Sequence, residues 1–133
     1  MADASDSDFR PWIAASADVA VLVAFVLIGR RTHHEDAGLD GFLRVWWPFA
    51  AGLAIAWVVT RLHSRPLEFG RATAAWLVTV AVGLVLRIVV EGRELKIAFA
   101  VVTLVFVGIG MLGWRGVVRT VRARRVGAST PGE

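Results

Sequence analysis

The chain has 133 residues, 56% of them apolar, a formal net charge of +4 and a mean hydropathy of +0.62. A soluble domain of this length carries less apolar material. The absence of cysteine excludes disulfides, thiolate metal sites and cysteine nucleophiles. A pI near 11.2 does not by itself mark a nucleic-acid binder, since the basic residues lie in short connections and a tail rather than on one folded face, and no nucleic-acid partner is expected.

Residues 1–11 form an acidic tail without the basic start of a signal peptide, and Asp18 interrupts the apolar run that follows, so the first helix is expected to be retained. Four apolar stretches then come in order, at about 12–29, 45–62, 73–90 and 96–114, each close to the length that crosses a bilayer core. The fold class expected is all-α, an integral membrane four-helix bundle. The connections are too short to bury a core of their own, so any chemistry lies in the helices, the rims or the tails.

The first connection has a helical pattern. Leu39, Phe42, Leu43, Trp46 and Trp47 recur at helix spacing with Asp36, Asp40 and Arg44 between them, which suggests a short interfacial helix over 37–47 that turns inward at Pro48. The C-terminal segment 115–133 reads as a basic tail, disordered from Gly127. Its Arg115, Arg119, Arg122, Arg124 and Arg125 serve first to hold that end in the cytoplasm and second to contact anionic lipids.

An even number of spans puts both termini on one side. That side collects nine basic residues, Arg10, Arg61, Arg65, Arg71 and the five tail arginines, against five on the other, Arg30, Arg31, Arg44, Arg93 and Lys96. Basic residues favour the cytoplasmic face, so both termini are expected inside, in the cell (inner) membrane of a bacterium. Trp12, Trp57, Trp76 and Trp114 fall toward the inner ends and Trp46 and Trp47 toward the outer one, as an anchoring aromatic belt requires.

The polar residues inside the spans are the candidates for function. Asp18 costs about 2.5–3.5 kcal/mol on insertion scales if it lies near the bilayer centre, so something must offset or use it. Arg87 in the third span poses the same problem with the opposite sign. A direct Asp18–Arg87 pair must bridge a height difference of ~12 Å, at 1.5 Å per residue, so Arg87 snorkelling toward Glu91 is favoured. Asp18 is then either a rim carboxylate hydrogen-bonded to Ser16, an arginine or water, or a proton- or cation-binding group. Ala75, Thr79, Gly83 and Arg87 make a stripe of small and polar residues for close helix packing, as do Gly52 and Ala56, and Gly108, Gly110 and Gly113. A narrow pathway lined by Thr79, Thr103 and Arg87 is the functional alternative. Arg30 and Arg31 are anchors or a clamp for a phosphate-bearing headgroup. His33 and His34 beside Glu35 and Asp36 lack a third imidazole at metal-ligand spacing, so no metal and no cofactor are expected.

Asp18, Gly29-Arg30-Arg31 with His33, Trp47-Pro48-Phe49 with Gly52, Trp76-Leu77-Val78-Thr79 with Gly83 and Arg87, and Gly113-Trp114-Arg115, in that order, resemble a small bacterial membrane family, domain of unknown function 3054. The resemblance spans roughly residues 18–115. It implies a four-span membrane protein and no assigned activity, and it carries over no catalytic residue. The expected function is a non-catalytic membrane component. The alternative is a small-solute or ion transporter or channel, working as a homo-oligomer with Asp18 as coupling carboxylate. A lipid-modifying enzyme with Arg30, Arg31, His33 and Arg44 around a headgroup ranks third.

Overall fold

The computed structural model describes residues 8–33 and 38–128. Four helices follow one another: α1 (Pro11–His33), α2 (Leu39–Thr60), α3 (Phe69–Val89) and α4 (Ile97–Ala128), with a 3-10 turn at Leu62–Ser64 between α2 and α3. Among the described residues there is no strand. All four helices are long and apolar enough to cross a membrane. Each helix packs along its two neighbours, α1 meeting both α2 and α4, and the diagonal pair α2 and α4 meets through the Phe49 and Phe99 rings, 6.2 Å apart, in a four-cornered up-and-down bundle.

Small residues set how closely the corners approach, because in lipid the helices associate through packing rather than through exclusion of water. At the α2–α3 corner a Cβ on Gly52 would lie 2.7 Å from the Thr79 carbonyl oxygen, and one on Gly83 would enter the Phe49 ring. At the α3–α4 corner Gly108 lies beneath the Trp76 indole, 2.6 Å from where its Cβ would be, and the same indole donates to the Leu104 carbonyl at 2.9 Å. Gly110 lets Val21 of α1 reach α4. Gly113 does not follow this pattern: it faces open space and packs against nothing. The interior toward the far end is aromatic, with the Phe25 ring 5.7 Å from both Phe49 and Phe106 and 6.1 Å from Phe99.

Two segments differ from the expectation. No separate interfacial helix occupies the described part of 37–47: from Leu39 the chain is the first part of α2, and Pro48 sits inside that helix. Phe42, Val45, Trp46, Phe49, Leu53 and Ala56 form one helix-spaced face packed on the core, continuous through the proline. That packing outweighs the single backbone hydrogen bond that Pro48 removes. The second difference is at the C-terminus, where α4 continues through residues 115–128 instead of ending at Trp114. Its 32 residues span ~48 Å at 1.5 Å per residue, well beyond a bilayer core of ~30 Å. Arg115, Arg119 and Arg122, spaced by four and three, put their side chains on the bundle and keep the helix wound. Arg119 donates to the Leu67 carbonyl at 3.3 Å and lies over the Phe69 ring, and Arg122 lies over Phe9.

The end of the bundle where α1 and α3 begin is closed by the α2–α3 turn. Arg61, left-handed at φ 52°, stops α2, and its amide bonds back to the Trp57 and Val58 carbonyls. The Arg71 guanidinium then holds the turn shut, donating to the Arg61 carbonyl at 2.9 Å and to the Ser64 hydroxyl at 2.6 Å. Leu62, Pro66 and Leu67 point inward and are buried, so the turn is a lid over what lies below it.

Candidate functional site, a buried carboxylate–guanidinium pair

Asp18 and Arg115 are the only fully buried charged side chains among the described residues, both with no exposed surface. They face each other. The Arg115 Nη1 and Nη2 atoms donate to Oδ1 and Oδ2 of Asp18, each at 2.7 Å, the parallel two-bond fork in which a guanidinium matches a carboxylate. Two indoles complete the carboxylate's shell: Trp114 Nε1 donates to Oδ1 at 2.9 Å and Trp57 Nε1 to Oδ2 at 3.0 Å. On the other side of the guanidinium, Nε donates to the Pro66 carbonyl and Nη1 to the Met111 carbonyl, both at 2.7 Å. The Arg115 guanidinium carbon also lies 4.4 Å from the Trp114 ring centroid, and Phe9 packs on the outer side of that indole at 5.9 Å.

The helices dictate the meeting. Asp18 is seven residues into α1 and Arg115 thirteen from the end of α4, and antiparallel neighbours bring those levels together. Trp57 stands three residues before the end of α2, at the same height. The Pro66 carbonyl comes from the lid, where proline leaves its own C=O free to accept without an N–H to place. Three helices and the turn therefore contribute to one cluster: α1 the anion, α4 the cation and an indole, α2 the second indole, and the turn a carbonyl. Each charge is neutralised by the other, and both carboxylate oxygens take two donors, which is the condition for keeping ions in a low-dielectric interior.

Of the partners weighed for Asp18, an arginine is present, and it is Arg115. Arg87 lies eighteen residues into α3, which from the helix starts places it ~16 Å farther from this end than Asp18, at 1.5 Å per residue. Its guanidinium instead sits 4.3 Å from the Phe99 ring centroid. Glu91 accepts from Trp47 Nε1 at 2.9 Å, joining α2 to the end of α3. Ser16 donates to the Trp12 carbonyl within α1. Arg115 leaves the lipid-facing set of arginines altogether, since it has no surface to offer a headgroup.

The other sequence candidates are dispersed. Thr79 is buried, but its hydroxyl donates to the Ala75 carbonyl one turn earlier, and Thr103 does the same to Phe99, so each is satisfied on its own helix. Arg30 is half-buried and Arg31 exposed at the far end of α1; the side chain of His33, with His34, Glu35 and Asp36, lies outside the described residues. Among the described residues no three His, Asp or Glu side chains group as metal ligands. Reading tryptophan as an anchor alone missed its larger part here: Trp47, Trp57, Trp76 and Trp114 each donate across a helix boundary. Trp12 differs from the other five in being mostly exposed, at 63%.

The arrangement of Asp18, Trp57 and Arg115 on four apolar helices falls within one family model. Protein of unknown function (DUF3054) matches residues 15–118. The chain belongs to this family. This DUF3054 protein is a multi-pass integral membrane protein. The matched region takes in the whole buried cluster and closes before Arg119. No curated protein and no solved structure matches the chain.

Removing one indole donor tests the shell. Trp57→Phe and Trp114→Phe are each expected to cost about 1–3 kcal/mol, the worth of a hydrogen bond to a charged group, in unfolding followed by circular dichroism in mild detergent. Trp12→Phe, which touches no part of the cluster, is expected to leave stability unchanged.

Proposed function

We propose that this DUF3054 protein is a non-catalytic component of a bacterial inner membrane, with both termini in the cytoplasm and the Asp18–Arg115 pair as the clamp that fixes its bundle. The observation carrying this reading is the saturation of Asp18: four donors from three side chains fill both of its oxygens. A coupling carboxylate must release one ligand and take another during each cycle, and here that requires parting from a forked guanidinium under a closed turn. Thr79 and Thr103, the lining proposed for a pathway, spend their hydroxyls on backbone. The orientation rests on the arginine-rich end, where Arg10, Arg61, Arg65, Arg71 and the five arginines from Arg115 to Arg125 make nine of the chain's 15 basic residues, facing the cytoplasm.

Flux across reconstituted vesicles tests the reading against transport. With a pH-sensitive dye inside and a potassium diffusion potential imposed, proteoliposomes are expected to acidify no faster than protein-free vesicles. Flux above that level which disappears in Asp18→Asn would replace this reading with the transporter.

A further inference from the structure

The Asp18–Arg115 clamp sets a height along α4, and the thirteen residues beyond it run past the buried part of the bundle for ~20 Å, at 1.5 Å per residue. Their order along that distance is informative. Val117 and Val121 come first, 65% and 44% exposed, and Arg124 and Arg125 follow, both exposed. At 100° per residue Val117, Val121 and Arg124 share one outward face, with Arg125 beside it. Measured from Arg115, the valines lie within ~9 Å and the two arginines at ~14–15 Å, which is the sequence from acyl chain to phosphate met on leaving a bilayer core.

The inward face of the same segment is already occupied, by Arg119 over Phe69 and Arg122 over Phe9, so the outward face is presented away from the bundle. Around it the end is basic: Arg10 just before α1 and Arg61 at the end of α2 are exposed, and Glu68, one of only two described acids beyond the clamp with Asp8, is already shared between Arg65 and Arg71. Trp12, at the start of α1, is exposed at the same end.

We propose that the outward face of α4 beyond the clamp, with Arg124 and Arg125 as the phosphate-contacting pair, is a binding surface for anionic phospholipids of the surrounding leaflet. The valine-then-arginine order selects a membrane lipid over a soluble polyanion, because a soluble partner has no use for exposed valines at acyl depth. The guanidiniums supply the headgroup selectivity, since they neutralise a phosphate that zwitterionic lipids already balance internally.

The test is a lipid titration of the full chain in a neutral detergent, following Tm with phosphatidylglycerol and with phosphatidylcholine. Phosphatidylglycerol is expected to raise Tm more than phosphatidylcholine at equal mole fraction. Arg124→Gln/Arg125→Gln, which alters two exposed side chains outside the clamp, is expected to weaken the apparent affinity for phosphatidylglycerol by on the order of tenfold or more. Its Tm without lipid is the baseline from which each lipid shift is read. Equal shifts with the two lipids, or a preference the double variant retains in full, would overturn the proposal. So would a shift of the same size from the soluble headgroup glycerophosphoglycerol, which has no acyl chains for the valines to meet.

Discussion

Arg115→Gln is expected to destabilise the bundle by about 3–5 kcal/mol, the cost of breaking a buried ion pair by removing one partner. The substitution leaves the Asp18 carboxylate buried with two indole donors in place of four hydrogen bonds, and it deprives the Pro66 carbonyl of its partner. The lid over the cluster then loses its tie to α4. Arg115→Lys keeps the charge but cannot present two parallel N–H bonds to Asp18 while also reaching Pro66, so it is expected to fall between wild type and the glutamine variant. Unfolding by sodium dodecyl sulfate in mixed micelles, followed by helicity, measures both.

Gly52→Ala is expected to cost about 1–3 kcal/mol by overpacking. The added methyl meets the Thr79 carbonyl oxygen at 2.7 Å and the Gly83 amide nitrogen at 3.2 Å. Both are backbone atoms, so no side chain can swing aside and α2 and α3 must separate. Separation also loosens Phe49 from Gly83, a contact that sits on the same corner. Gly113→Ala is the control: nothing lies within 4 Å of the new methyl, and the gain in helix propensity should leave that variant between neutral and ~1 kcal/mol more stable. The same unfolding assay separates the two, and equal effects would mean that the α2–α3 approach does not limit packing.

The four spans were legible because an apolar run long enough to cross a bilayer is a local signal, read without knowing any contact. Asp18 was legible as a problem for the same reason, a carboxylate inside such a run. Its solution was not, since the partner lies 97 positions away and stands at the border where the apolar pattern gives way to arginines. Hydropathy ends the fourth span at Trp114 and so assigns Arg115 to a tail. The spacing of Arg115, Arg119 and Arg122 was the available sign that the helix continues with one face turned inward. Gly108 and Gly110 could be read as packing residues and Gly113 could not be told from them, because which face of α4 meets a neighbour depends on helix rotation. Pro48 misled in the other direction, as a proline is a break only where packing does not hold the helix on both sides of it.

Family membership and the fold leave one physical claim at the centre, that Asp18 and Arg115 act as a single clamp. A double-mutant cycle of Asp18→Asn, Arg115→Gln and the double variant, by unfolding in mixed micelles, measures it directly. The clamp predicts that each single change destabilises and that the double variant is more stable than their sum by about 2 kcal/mol or more, within the range found for residues in one ion-pair network. Additivity of the two changes to within about 0.5 kcal/mol would contradict it, for the two charges would then be held independently of each other.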